Sequence, residues 1–222
     1  MPDFAELRRP LSSVPTSCIV SSMVERLDKT SGERDGTAAK AELSFREVTA
    51  ETWPDFEKLF ESRGGPKSCW CMVWRSSGAE SPSTDGASRK AAMKQRIHTG
   101  GPVGILGYAG EVPVAWCSIA PRDTYRTTMA GMQPGDAKEQ VWSVVCFFVA
   151  RSARGQRGFN SLLEAAEALA KSHGATVLEG YPVDEDSPSY RFGGFVGSFE
   201  KTGFERIGRA GTRRYIVRKR LA

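Results

Sequence analysis

The sequence predicts an α/β fold, and three observations carry that prediction. Trp142–Val149 is an apolar run on both alternating faces apart from Ser143, the pattern of a strand buried in the middle of a sheet. A short arginine- and glycine-rich turn, Arg154-Gly155-Gln156-Arg157-Gly158, leads from it into Phe159, Leu162, Leu163, Ala166, Leu169 and Ala170, which recur at the spacing of one helical face until Gly174. Strand-like and helix-like segments succeed one another on either side of this unit. With 222 residues and 40% apolar content, the chain can bury one substantial core.

Residues 1–41 carry six basic and six acidic groups, are rich in Ser, Thr and Gly, and show no sustained periodicity, so they read as a flexible extension before a domain spanning 42–222. Asp3 and Glu6 precede Arg8-Arg9, and no apolar stretch leads to a small-residue cleavage site, which argues against a targeting peptide. Leu43–Val48 alternates like a half-buried strand. Thr52, Pro54 and Asp55 then make a helix start in which Thr52 is expected to cap, with Phe56, Leu59 and Phe60 as the apolar face up to Gly64-Gly65. Ser83 to His98 reads as a second, weakly periodic helix. Val103–Ala109, a turn at Gly110-Glu111 and Val114–Ala120 make a hairpin whose Pro113 confines it to an edge or a bulge. Residues 121–140 are a polar connection, long enough to face a substrate. After the central strand and its helix come a strand at Thr176–Pro182, a loop punctuated by Pro182 and Pro188, a short segment at Phe192–Lys201, and two closing strands, Gly203–Gly208 and Arg214–Arg218.

A strand feeding a helix through a Gly/Arg turn aims backbone N–H groups and the positive end of a helix dipole at one point, a physical recipe for holding a phosphate or pyrophosphate. The residues Phe147-Phe148-Val149, Arg154-Gly155-Gln156-Arg157-Gly158-Phe159 and Leu162-Leu163 resemble the acetyl-CoA-binding segment of the GNAT superfamily of N-acetyltransferases. Phe199-Glu200-Lys201-Thr202-Gly203-Phe204 resembles a second signature of that superfamily, so the likeness covers about residues 43–220. It implies a mixed, mostly antiparallel central sheet with helices on both faces. It also implies acetyl-CoA as co-substrate, with the backbone of Phe147, Phe148 and Val149 along the pantetheine arm and Arg154, Gly155, Gln156, Arg157, Gly158 and Phe159 around the pyrophosphate. The usual turn has glycine where Arg157 stands; this side chain either crowds the pyrophosphate or adds a charge-assisted contact to it.

In many members the second signature begins with a tyrosine that gives a proton to the departing coenzyme A thiolate, and here its place is taken by Phe199. Three alternatives follow: water or a backbone N–H assists the thiolate, a hydroxyl of Ser198, Tyr190 or Tyr181 substitutes, or the domain binds without catalysing. Transfer also requires an amine stripped of its proton, normally by a carboxylate or an ordered water. The central strand offers no acid. Glu179 on the next strand is the candidate base, because the superfamily opens its acceptor site where those two strands splay apart, and Tyr181 shares its face. The bland alternative is that Glu179 faces solvent or pairs with an arginine. The activity implied is direct acetyl transfer to a primary amine of a small molecule or peptide; the alternative is a non-catalytic acyl-CoA-binding or sensing protein.

Cys69-Trp70-Cys71-Met72 resembles a stretch of a poorly characterised bacterial branch of the superfamily, where it serves core packing or pocket lining equally well. With only His98 and His173 elsewhere, it lacks a zinc set, so no metal is expected. Five cysteines without a framework spacing indicate a reducing, cytoplasmic compartment. The longest apolar run is strand-sized, which argues against a membrane span. The formal charge of +5 is concentrated in Arg206, Arg209, Arg213, Arg214, Arg218, Lys219 and Arg220. Without interleaved exposed aromatics these read as a solvated edge strand rather than a nucleic-acid surface. The sequence does not specify an oligomeric state.

Overall fold

The structure is a computed structural model in which residues 43–75, 85–126, 139–154 and 156–222 are described. They belong to one unit, Ala41–Ala222. The expected extension at 1–41 lies outside the described residues. Seven strands and four helices follow one another: β1 (Leu43–Glu47), α1 (Trp53–Glu61), α2 (Gly86–His98), β2 (Gly104–Ala109), β3 (Val112–Pro121), β4 (Val141–Val149), α3 (Gln156–Ser172), β5 (Val177–Gly180), α4 (Val196–Glu200), β6 (Glu205–Ala210) and β7 (Arg214–Arg220). They build a single sheet in the order β1-β2-β3-β4-β5-β7-β6, antiparallel throughout except for β4 beside β5. The α/β class and the mixed, mostly antiparallel sheet are those expected.

Alternation along the strands divides the core in two. Leu106, Tyr108, Trp116 and Tyr181 face α1 and α2, whereas Ile105, Ala115, Cys117, Val144, Phe147 and Leu178 face Leu162, Leu163, Ala166 and Ala170 of α3 and Phe199 of α4. Helices therefore cover both faces. On the first face Phe56, Phe60, Trp70 and Trp116 pack edge to face, stacked or tilted, with ring centroids 4.1–6.0 Å apart. Trp70, Cys71 and Met72 are buried there. The Cys-Trp-Cys-Met stretch thus closes the core above α1, and the next aromatic, Trp74, reaches outward.

Several local details differ from the sequence reading. Thr52 does not cap α1 with its side chain; its hydroxyl donates to Glu47 O and accepts from Thr49 N instead, tying the helix start back to β1. The second helix begins at Gly86, where Asp85 accepts from Ser88 N; Ser83 lies outside the described residues. α3 starts at Gln156, so Gln156, Arg157 and Gly158 form its first turn rather than a loop before it. Among the closing strands β6 is the edge and β7 lies inside, between β5 and β6. The C-terminal basic residues consequently separate: Arg206 and Arg209 sit on the exposed edge strand, but Arg214 and Arg218 face the sheet's interior positions. Pro113 does sit beside a bulge, because the β2–β3 register shifts between Gly107 and Tyr108.

Candidate functional site

The site begins with a fork between β4 and β5. The parallel rows run Val141↔Val177, Trp142↔Leu178, Ser143↔Glu179 and Val144↔Gly180, and there the pairing ends. β3 meets a bulge at the same level: Ser118 pairs with Cys146 and Ile119 with Val144, leaving Val145 as the extra residue. A bulge bends its strand, and this one follows directly on the last β4–β5 pair. Beyond Gly180, Pro182 contributes no N–H, and the chain leaves the sheet for a loop that Val183 anchors by bridges to Phe195 and Arg214. Among the described residues no strand pairs with the outer edge of Phe147–Val149, whose other edge is held by Ala115–Cys117 of β3.

Two cavities flank that free edge. One, of about 430 Å³, is lined by Phe147, Phe148, Val149, Arg154 and Phe159 on one side and by Arg191, Phe192, Gly194 and Phe195 on the other. The second, of about 590 Å³, is lined by Arg63, Gly64, Phe148, Ala150, Arg151 and Arg154. They share Phe148 and Arg154, and four arginines line them in all. The N-terminus of α3 lies next to them; the first-turn N–H groups of a helix have no intrahelical acceptors and favour an anion.

The residues named from the sequence are distributed around this fork as follows. Phe147, Phe148, Val149, Arg154 and Phe159 line the first cavity. Arg154 is exposed, and its Nε donates to Val149 O at 3.1 Å, folding the guanidinium back over the end of β4. Gly158 is in the first turn of α3, and its position is tight, since a Cβ there would stand 3.0 Å from Ala153 O. Gly155 and the side chains of Gln156 and Arg157 lie outside the described residues. Phe199 is fully buried and packs its ring on Phe147, Phe159 and Phe204. The room for that ring comes from glycine: a Cβ on Gly180 would be 2.5 Å from Phe199 Cε1.

Glu179 stands in the next-to-last paired row and Tyr181 just past the last one, on the face covered by α1 and α2, and they line neither cavity. Glu179 is fully buried. Its carboxylate accepts from the Tyr181 hydroxyl and from Arg218 Nε at 2.6 Å, and Arg122 Nη1 lies 3.6 Å away. Tyr181 Oη is also 3.4 Å from Ser143 Oγ. Burial and the adjacent Glu179 charge push the Tyr181 pKa well up, so its hydroxyl stays protonated. Tyr190 is separate from this group. It is 39% exposed, adopts a left-handed backbone (φ 60°), and sets its ring tilted to Trp74 and edge-on to Phe192, with centroids 6.4 and 6.1 Å apart.

Other functional candidates escaped the sequence reading. Arg63, Arg151, Arg191, Phe192 and Phe195 line the cavities, and Arg122 and Arg218 hold Glu179. For Arg191 and Phe192 the signal available was the run Tyr190-Arg191-Phe192, where aromatics flank an arginine after a proline-punctuated loop, and for Arg218 it was the alternative that Glu179 pairs with an arginine. Arg75 is a different case, being 2% exposed with Nη2 donating to Val103 O, Tyr125 Oη and Ser118 Oγ at 2.7, 2.7 and 3.2 Å. It cross-links the segment after α1 to β3. Hydrogen bonding with Cys146 and burial raise the Cys71 pKa, and Trp116 Nε1 donates to its sulfur at 3.1 Å. That thiol is held in its unreactive form. Among the described residues no group of three metal-ligating side chains occurs, and no helix is long and apolar enough to cross a membrane.

No protein-family model and no curated protein matches the sequence. Solved structures do match the fold. An uncharacterized protein from Bacillus halodurans superposes with a TM-score of 0.52 at 12% identity, covering 80% of this chain and 83% of that one. PH1933 from Pyrococcus horikoshii gives 0.50 at 13% identity, covering 82% and 99%. The PaiA N-acetyltransferase from Thermoplasma acidophilum, solved in complex with coenzyme A, gives 0.48 at 12% identity, covering 81% and 99%. At these identities the likeness is one of fold.

Proposed function

We propose that this chain is an acetyl-CoA-dependent N-acetyltransferase that moves the acetyl group directly to a primary amine of a small molecule or peptide. The observation that carries the reading is the fork: β4 keeps an unpaired backbone edge at Phe147–Val149, facing a cavity that ends in arginines and a helix N-terminus. An extended, amide-bearing pantetheine arm pairs with a free strand edge as an added strand does, and its polyanionic end finds Arg154 and the α3 N-terminus, whose first residues are Gln156, Arg157, Gly158 and Phe159.

In this reading the acyl carbon sits at the Val144/Gly180 level. The neutral amine attacks it, an N–C bond forms, and the C–S bond breaks. Glu179 is the proposed destination of the amine proton. Because it is fully buried, the proton reaches it through the Tyr181 hydroxyl, which already donates to it. Tyr190, the more exposed phenol, is the proposed donor to the thiolate in place of the acid that Phe199 cannot supply. Most of the rate acceleration then comes from positioning.

A second reading, acyl-CoA binding without turnover, is favoured by two specific observations. Phe199 is an apolar ring at the usual acid position, and Glu179 is already engaged by two arginines. Coenzyme A release across a panel of amines separates the readings. In the enzyme, Glu179→Gln lowers turnover by ~10²-fold while acetyl-CoA binding persists. If acetyl-CoA binds but neither the parent nor Phe199→Tyr transfers acetyl to any amine, the protein is a sensor.

A further inference from the structure

The face that carries Glu179 and Tyr181 holds one more arginine, which the proposed chemistry leaves unused. Arg214 opens β7 and is 8% exposed. Its guanidinium carbon lies 5.0 Å from the centre of the Trp74 ring and 5.1 Å from that of Tyr190. Its Nη1 is buried with no hydrogen-bond partner. The neighbouring arginines of this face also keep buried nitrogens without a hydrogen-bond partner, Arg75 Nε and Nη1, Arg122 Nη1 and Arg218 Nη2, but each has an oxygen close to its guanidinium: Arg75 Nη2 has three acceptors, and Arg122 and Arg218 lie against the Glu179 carboxylate. Aromatic faces offset part of a guanidinium's lost hydration, but they do not replace an oxygen acceptor. Burial accordingly lowers the Arg214 pKa. A buried guanidinium nitrogen that lacks an acceptor matches an oxyanion, above all a planar carboxylate.

The surroundings of Arg214 point outward to a ligand. Tyr190 and Phe192 are 39% and 41% exposed, and with Trp74 they form a contiguous aromatic group, with centroids 6.0–6.4 Å apart. Tyr190 holds its place in a left-handed backbone that non-glycine residues rarely adopt. Phe192 also lines the cavity beside the free edge of β4, so the aromatic group joins Arg214 to the fork.

We propose that the acceptor is an α-amino acid with an apolar or aromatic side chain, its carboxylate on Arg214, its side chain against Trp74, Tyr190 and Phe192, and its amine directed to the fork. The proposal rests on the acetyl-transfer reading and gives it a substrate class. The balance is simple: the amino nitrogen gains the acetyl group and loses one proton, the thiolate gains one, and N-acetyl amino acid and coenzyme A leave.

The test compares L-phenylalanine with phenethylamine, and L-leucine with isoamylamine, pairs that differ only in the carboxylate. Coenzyme A release is followed with a thiol reagent, and calorimetry of each compound is run with and without coenzyme A. One charge-assisted interaction predicts kcat/KM at least ~10-fold higher for the acids. Arg214→Met brings the acids down to the level of the amines, and Arg214→Lys, which keeps the charge but not the fork, falls between. Because Met removes an unpartnered buried charge, that variant melts no lower than the parent. Equal kcat/KM within each pair, or a preference that survives Arg214→Met, overturns this inference and leaves acetyl transfer standing. Should acetyl-CoA fail to bind, acetyl transfer falls instead. The calorimetry then decides the site: tighter binding of the acids, lost in Arg214→Met, supports the carboxylate pocket, and no difference overturns it.

Discussion

Glu179→Gln perturbs a point at which β5, β7 and the segment after β3 are joined by charge. The carboxylate is fully buried, lies 2.6 Å from Arg218 Nε and 3.6 Å from Arg122 Nη1, and accepts from Tyr181. Glutamine keeps the volume and can still accept the Tyr181 proton, so no cavity forms and that hydrogen bond survives. What is lost is the charge that faces Arg122 and Arg218, with Arg218 keeping Glu139 at 3.4 Å. Removing one partner of a buried pair costs about 3–5 kcal/mol, and the partial exposure of the Arg122 and Arg218 side chains, 16% and 19%, places the effect at the lower end. About 3 kcal/mol in a domain of this size lowers the melting temperature by ~6–12 °C. Far-UV circular dichroism and calorimetry on the parent, Glu179→Gln and Tyr181→Phe measure it, the last variant removing only the hydroxyl. A Glu179→Gln protein that melts within ~2 °C of the parent would refute the reasoning, because the charges would then be solvated rather than mutually dependent.

Three further outcomes follow from the geometry. Arg154→Ala weakens acetyl-CoA binding by about 1–3 kcal/mol in calorimetry, as expected for a charge-assisted contact, and an unchanged dissociation constant removes Arg154 from the site. Gly180→Ala places a Cβ against Phe199 where no room exists and costs about 1–3 kcal/mol by overpacking; chemical denaturation showing no loss contradicts the packing described for the fork. Burial acts to raise the Glu167 pKa, but hydrogen bonds from Lys219 and Lys171 outweigh it and hold the carboxyl below its ordinary value. Its contribution to stability is therefore present above the ordinary carboxylate range and lost as pH falls through the folded-state value. Lys219→Met should flatten that acid limb of the stability curve, and an unaltered limb would contradict the pairing.

Local pattern was enough to place most elements. The double-faced apolar run at Trp142–Val149 could only be an interior strand, and the spacing of Leu162, Leu163, Ala166 and Ala170 could only be a helix face, so this strand and helix were legible. The fork was not, because it depends on where β5 stops pairing, and that is decided by Pro182 and by the bridges of Val183 to Phe195 and Arg214, residues far apart in the chain. The same limit explains the arginines. Arg214 and Arg218 look like members of a solvated basic cluster until the topology places β7 between β5 and β6 and sets Arg218 opposite Glu179. Thr52 shows the limit at short range: a residue type suited to capping bonds backward to Glu47 because β1 ends within its reach.

The central claim is that the free edge of β4 and the α3 N-terminus hold acetyl-CoA, and thermal unfolding against ligand concentration tests it most directly. A ligand that binds only the folded chain stabilises it by about 2.7 kcal/mol at a hundredfold excess over its dissociation constant, which here is a rise of ~5–11 °C in melting temperature. The account predicts that rise for acetyl-CoA and for coenzyme A, growing with the logarithm of concentration, and none for NAD. A melting temperature that millimolar acetyl-CoA leaves unmoved would contradict it.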